Sequence, residues 1–542
     1  MGWLRAMIPV AGARGLDPPA EPSRLGIVAS RATALRIGRL ALVVGVLIGL
    51  PLAISLLTGS LYIPHNDAWS HSKIAQEYAA TGHMTLLGWN RTSLVGQFVI
   101  LGPLGGSIAA QHLFVAASGA VSLVMTYLLV RPRAGEAGAL LAVITLGVVP
   151  DFGLLSTSFM TDIPALAGML TCLWAGDEAV RRNSAPFWWF GILAGIWAVT
   201  VREQAVVAAA AILVAGWLAR RPARKHVMLA ALVVTVGVVG FEVWRRSLPG
   251  DDPPGFSGVG ELNTVITAAK ILFTVGFYVL PVVVAVANPL RWRPSVRWLA
   301  AGATLLAGVV AQGMGATLLL GNYLGRSVSY DAASVGAPVV LPESLWTVVL
   351  VAAVLGTMLL VGHALESGLS RDPILLTAGV LLLLGTLAQA AVRQSTSGRF
   401  LLLFVPIGAG LLLQGRRVPN LRLGIGVAVL PLVVGVMLTA ATYSYDAARW
   451  ATAEELVAAG VSPRDIDAGF EWVGTHAQGP YTSDLPPREP LGGWYVSRFE
   501  SSRACHLVTG SPLPGLQPSR VFRYATFGVL GASKLYVYSD RC

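Results

Sequence analysis

The stretch Leu40-Ala-Leu-Val-Val-Gly-Val-Leu-Ile-Gly-Leu50 continues in apolar residues to about Ser60, then gives way to Tyr62-Ile-Pro-His65-Asn66-Asp67-Ala-Trp69-Ser-His71-Ser-Lys73. Roughly twenty apolar residues make one membrane span, so this passage reads as a span that opens into a polar loop. The pattern recurs near 107–130, 137–157, 163–180, 187–201, 205–219, 226–244, 265–287, 298–320, 346–362, 373–392, 400–414 and 423–443, about thirteen spans in all. The composition agrees. Of the 542 residues 54% are hydrophobic and only 12% charged, with a mean hydropathy of +0.66. A water-facing surface needs about a quarter of its residues charged, which excludes a soluble enzyme, a disordered chain or a nucleic-acid binder. The 60 Gly and 32 Pro suit membrane helices, where both residues are more frequent than in soluble ones.

Lys and Arg gather on the cytoplasmic side of spanning proteins. With a cytoplasmic N-terminus, the inner side holds 21 of the 39 basic residues, the outer side of the membrane part nine, and the tail after Tyr443 the other nine. An odd number of spans then puts the tail outside. Three regions are expected: a disordered cytoplasmic tail over 1–37; a membrane module over 38–443, with a long first outer loop at 61–106; and a small α+β extracytoplasmic domain over 444–542. In the last, strands are expected at Val521-Phe-Arg-Tyr and Leu535-Tyr-Val-Tyr. Cys505 and Cys542 lie in that outer domain, where an oxidising compartment favours a disulfide, while Cys172 sits inside a span.

Ionisable groups at membrane depth are costly and mark function. Four polar junctions converge on the outer face: the loop with Asp67 and His71, Thr161-Asp162-Ile-Pro164 after the third span, Arg202-Glu203-Gln204 after the fifth, and Arg393-Gln-Ser-Thr-Ser-Gly-Arg399 after the eleventh. Acids that take a proton from an attacking hydroxyl, beside arginines that stabilise a phosphate leaving group, suit group transfer from a phosphate ester. Arginine fits the second role because its planar fork contacts phosphate oxygens in pairs. A phosphate at headgroup depth would leave a polyprenyl tail in the bilayer. Each residue also has a plainer role. Asp67 stands where a helix N-cap would, before Ala68; Asp162 precedes Pro164 at a helix start; Arg202 and Glu203 could pair with each other. Arg245 and Arg246 read as interfacial anchors. His65, Asp67 and His71 could ligate a divalent metal, since positions 67 and 71 share a helical face.

These residues resemble the polytopic GT-C glycosyltransferases, especially the family 39 branch that holds protein O-mannosyltransferases and the lipid A aminoarabinose transferase. The resemblance rests on Asn66-Asp67-Ala-Trp69, on Ser158-Phe-Met-Thr-Asp162-Ile-Pro164 and on Arg399-Phe-Leu-Leu-Leu-Phe-Val-Pro406. It covers most of 40–443. It implies a GT-C fold and an inverting transfer with Asp67 as catalytic base and Asp162 as second acid of the outer cavity. Arg399 would approach the lipid phosphate, and Arg202, Glu203, Arg393 and His71 would contact substrate. Where the family's arginine element has proline at its fifth position, this chain has Leu403, with proline at Pro406. The expected partners are a polyprenyl-phosphate sugar donor, membrane lipids and an envelope glycan, lipid or protein acceptor, at a bacterial plasma membrane. The contrasting reading is a lipid or sugar-lipid transporter. It would place charges near the bilayer midplane within an inverted repeat, and neither is legible in the sequence.

Overall fold

The computed structural model describes residues 24–87, 94–250, 261–313, 317–330, 335–392, 396–413, 418–479, 481–482, 492–526 and 532–539. The chain forms two compact units, Met1–Val43 and Val44–Cys542. The first is described only from Arg24, where a helix begins that ends at Thr58. Helix therefore covers residues 24–37, which composition alone assigns to a disordered tail. The segment Ala29-Ser-Arg-Ala-Thr-Ala-Leu35 is free of Gly and Pro, and extending a helix that already exists costs far less than starting one. Residues 1–23 lie outside the described part.

Each of the thirteen apolar stretches falls wholly or largely on helix, as expected where lipid offers no partner for backbone polar groups. Among the described residues seven helices are long and apolar enough to cross a membrane, or eight when the bent pair Thr264–Tyr278 and Leu280–Val286 is joined. The expected spans 107–130 and 137–157 lie on either side of Gly135 (φ 71°), where two helices within Ile108–Gly147 meet at a kink, and the second stretch continues into the helix Pro150–Leu155. The helices Ala185–Val201, Glu203–Ala219 and Gly398–Leu413 fall short of about twenty residues.

The helix Asp162–Arg182 is the centre of the second unit. It packs against Ile108–Gly147 and Ala185–Val201, and its buried face carries Ala165, Leu166, Leu170, Leu173 and Ala179. Next to the Gly135 break, Arg133 locks three helices together. It donates to both carboxylate oxygens of Asp177 (2.7 and 3.1 Å) and to Oδ2 of Asp372 (2.6 and 3.0 Å). Asp372 in turn caps the helix Pro373–Ala391 by accepting from the backbone N–H of Ile374 and Leu375.

The last apolar helix, Val429–Ala458, runs without a break through the boundary expected at 443. Beyond it come the short helix Phe470–His476 and a four-stranded sheet in the order β1-β2-β4-β3, with β1 Ile466–Asp467, β2 His506–Thr509, β3 Arg520–Ala525 and β4 Ala532–Ser539. β1 and β2 are parallel; β2, β4 and β3 are antiparallel, with Val508 opposite Val537 and Phe522 opposite Leu535. The stretches 521–524 and 535–538 fall in β3 and β4. Leu507 and Tyr538 form a small core beneath Val335 and Leu513. Cys505, just before β2, is disulfide-bonded, and Cys172 is a buried free thiol. Cys542 lies outside the described residues.

Candidate active site

The loop that leaves the first apolar helix turns sharply at Asn66, whose φ of 40° lies in the left-handed region, where Asn is one of the few tolerated side chains. The amide of Ala68 then bonds to the carbonyl of His65 at 2.9 Å, which starts the helix Ala68–Thr81. Asp67 stands at its head, yet its side chain makes no capping hydrogen bond. The capping work expected of the carboxylate is left undone, and the group instead lies in the field of Arg399 and Asp162. Burial is the larger influence and raises the Asp67 pKa above its ordinary value; the Arg399 charge opposes the rise and the Asp162 charge adds to it.

Asp162 is the first residue of its helix, and Arg202 follows the last residue of the next, Ala185–Val201. Because the two helices form a hairpin, these ends meet. Arg202 Nη1 donates to Asp162 Oδ1 at 2.7 Å and to Thr161 Oγ1 at 2.8 Å, while its Nε donates to Gln204 Oε1 at 3.1 Å. Arg399 comes from far along the chain, in the 3-10 turn Gly398–Leu401. Its Nη1 stands 3.7 Å from Asp162 Oδ2 and donates to Tyr323 Oη at 3.0 Å. Phe400 lies under both guanidinium groups, 4.6 Å from that of Arg202 and 5.3 Å from that of Arg399. The helix after this turn begins at Phe404, so Pro406 sits in a first turn, where its missing N–H has no intrahelical partner to lose.

Two acids and two arginines thus form one cluster, and its hydrogen-bonding capacity is not exhausted. Asp162 Oδ2 and Arg399 Nε are buried without a hydrogen-bond partner. Such groups cost free energy until something pairs with them. His71, one turn beyond Asp67, is buried beside the cluster, its ring 6.4 Å from that of Phe98. Burial, with Arg202 and Arg399 adding to it against Asp162, pulls its pKa down to about 3, so the ring is neutral at ordinary pH.

Residues with no sequence motif complete the site. Tyr278 Oη donates to Asp151 Oδ2 at 2.7 Å, and Gly398 is seated on this pair. A Cβ there would lie 2.6 Å from Tyr278 Oη and 2.9 Å from Asp151 Oδ2. Glycine is what lets the turn that carries Arg399 settle so low. Asp151, Tyr278, Tyr323 and Phe400 sit within or beside apolar runs and give no local signal; the Pro150-Asp151 pair, an acid at the end of an apolar stretch, is the one clue.

Other expected site residues go elsewhere. Glu203 is half exposed and pairs with Arg245 Nη2 at 3.7 Å, outside the Asp162 cluster. Arg245 is buried and also bound to Glu242, so it works as an internal ion-pair partner and not as an interfacial anchor. Arg393 lies outside the described residues. Among the described residues no three His, Cys, Asp or Glu side chains form a grouping that could hold a metal ion. His65, expected near such a grouping, bonds instead through Nδ1 to Asp446 Oδ2 at 3.1 Å.

Residues 100–244 match the family model of the dolichyl-phosphate-mannose-protein mannosyltransferases. Among solved structures, ArnT from Cupriavidus metallidurans in the apo state is similar at 16% identity over 83% of this chain and 85% of that one, with a TM-score of 0.37. The same protein bound to undecaprenyl phosphate is similar at 15% identity over 90% and 97%, again with a TM-score of 0.37. The Archaeoglobus fulgidus oligosaccharyltransferase in complex with zinc and sulfate gives 12% identity over 84% and 62%, also with a TM-score of 0.37. No curated protein matches the chain. The family match and the many apolar helices support a multi-pass membrane glycosyltransferase of the GT-C superfamily.

Proposed function

We propose that the protein transfers a sugar from a polyprenyl-phosphate donor to a hydroxyl of a cell-envelope acceptor, with inversion at the anomeric carbon. The observation that carries this reading is the cluster itself: Asp67 and Asp162 lie in one field with two partly buried arginines, and Arg399 Nε and Asp162 Oδ2 are left without hydrogen-bond partners. In the reaction the acceptor oxygen forms a bond to the anomeric carbon as the bond to the donor phosphate oxygen breaks. The acceptor proton passes to the Asp67 carboxylate. Negative charge gathers on the departing phosphate, where Arg399 and Arg202 stabilise it. Asp162 holds both arginines in place through its two oxygens, and neutral His71 offers a polar wall beside the sugar. A carboxylate raised above its ordinary pKa is a better base. The family model matched over 100–244 is that of enzymes described by a dolichyl-phosphate-mannose donor, which supports a lipid-phosphate sugar as the donor class.

In this reading the N-terminus is cytoplasmic, the tail is outside a bacterial plasma membrane, and Arg393 joins the phosphate site. The disulfide at Cys505 supports an oxidising compartment for the tail. The test is mass spectrometry of envelope glycans and glycolipids from a strain lacking the gene, complemented with wild type or with Asp67→Asn. Wild type restores a sugar modification and Asp67→Asn does not, although it accumulates in the membrane to the same level. Full restoration by Asp67→Asn overturns the proposal.

A further inference from the structure

The Asp67 loop is gripped on one side chiefly by the last apolar helix, Val429–Ala458, and on the other by the region beyond it. On one side, His65 is fully buried and stacked between two rings, Tyr443 at 4.5 Å and His112 at 5.4 Å, with its Nδ1 on Asp446. On the other, Trp69 is buried edge-on to Phe470 (5.5 Å) and Phe499 (5.7 Å). The helix Phe470–His476 presses so close to it that a Cβ on Gly474 would collide with the Trp69 ring. Lys73 Nζ donates to the carbonyls of Ala477 (2.8 Å) and Gly474 (3.4 Å) at the end of that helix.

The two grips are joined to each other. Arg449 Nη2 donates to Asp446 Oδ1 at 2.8 Å and to Glu471 Oε1 at 2.5 Å, and its guanidinium lies 4.3 Å from the Tyr445 ring centroid. All three side chains are buried. The chain His65–Asp446–Arg449–Glu471 therefore runs from the loop through the long helix into the tail, behind the stretch 65–69 that carries Asp67. Buried pairs of this kind are weak sources of stability but define one arrangement sharply, because removing one partner strands the other. The bonds that make up this chain are separate from those among the acids and arginines of the site.

We infer that His65, Asp446, Arg449 and Glu471 are positioning residues: together with the packing of Phe470–His476 on Trp69, they fix Asp67 relative to Asp162 and Arg399. The inference rests on Asp67 being the catalytic base. It assigns the tail a part in the transfer step itself, since a reacting group displaced by about 1 Å can lose about 10²-fold in rate.

The test compares wild type, Asp446→Asn and Glu471→Gln as full chains in lipid nanodiscs. Both substitutions keep the shape of the side chain, and the second, at the other end of the ion-pair chain, guards against misfolding of the first. Hydrogen exchange of peptides covering 61–81 is expected to rise about tenfold in both, while the hairpin Asp162–Val201 exchanges as in wild type. Undecaprenyl phosphate, the probe for the arginine centre, binds as it does to wild type. Transfer in membranes, measured as the product that complementation restores, falls by between about 10-fold and about 10²-fold, and Asp446→Glu recovers part of it. Unchanged exchange at 61–81 in both variants overturns the inference, as does raised exchange with full transfer. Loss of undecaprenyl phosphate binding together with faster exchange across the hairpin overturns it too, by showing a general structural role. If Asp67→Asn itself transfers normally, the assignment of the base has failed, and the exchange measurement still decides whether the tail holds the loop.

Discussion

Arg202 Nη1 lies 2.7 Å from Asp162 Oδ1, joining the outgoing end of one helix to the first residue of the helix before it. Asp162 is the hinge of the charge cluster, because its other oxygen faces Arg399. Asp162→Asn removes the carboxylate shared by two partly buried arginines, so transfer should fall by about 10² to 10³-fold and stability by about 1–3 kcal/mol. The double variant Asp162→Leu, Arg202→Met should unfold at a higher temperature than Asp162→Asn, because it removes both members of a buried pair. Thermal unfolding of the three proteins checks this; a double variant less stable than the single would show that the pair itself is strongly stabilising.

The Asp67 pKa is raised above the ordinary 3.8 by burial, and the base works only when ionised. Transfer should therefore climb with pH through an acid limb centred above the range of an exposed aspartate. Arg399 lowers this pKa, so Arg399→Gln should move the limb to still higher pH in whatever activity remains. His71 has its pKa pulled down to about 3 and does not change charge across the limb, so His71→Gln should keep the limb. A pH–rate profile without an acid limb in wild type would remove Asp67 from the base role.

Gly398 touches Tyr278 and Asp151 too closely for any side chain. Gly398→Ala should cost about 1–3 kcal/mol of stability and, by lifting Arg399, about 10-fold or more in transfer. The nearest obstacle is the Tyr278 hydroxyl, so adding Tyr278→Phe should return part of the activity. Transfer rates of the single and double variants, with their unfolding temperatures, read this directly.

Arg133 is 6% exposed and engages Asp177 and Asp372, the first of them on the same helix as Asp162 but near its other end, about 22 Å along the axis. Arg133→Met leaves Asp177 paired with Arg181 alone and Asp372 with only its two cap bonds, and should destabilise by about 1–3 kcal/mol. At a temperature where the variant is folded, its transfer rate per molecule should match wild type. A fall in the per-molecule rate would connect the lock to catalysis.

The sequence carries most of the fold and half of the site. Apolar runs are legible because lipid demands helix, and all thirteen fall wholly or largely on helix. What they do not carry is where one helix ends and the next begins. Gly135 is the kink at which two helices meet almost end to end, and residues 24–37 extend a helix that hydropathy starts at 40. Asp67, Asp162, Arg202 and Arg399 stand out because charges beside apolar runs are rare, and the structure brings them together. Glu203 stands out equally but pairs with Arg245, since adjacency in sequence does not decide which partner a side chain on a 3-10 turn takes. Asp151 and Tyr278 acquire their role only through the close approach of Gly398, some 120 residues beyond Tyr278 in the chain, and no local pattern encodes that. Arg133 shows the complementary limit: counting it as inner-face charge reads its sign and misses its partners.

The unbroken helix Val429–Ala458 has a mechanical consequence. Thirty residues at 1.5 Å each make a mast of about 45 Å, planted in the apolar module and carrying Asp446 and Arg449 along its length. To swivel the region mounted at its end would mean snapping consecutive backbone hydrogen bonds, each worth about 1 kcal/mol net. In the proposed transfer the far end of the mast would therefore stand still, and any opening for an acceptor would fall to the smaller loops around the acids.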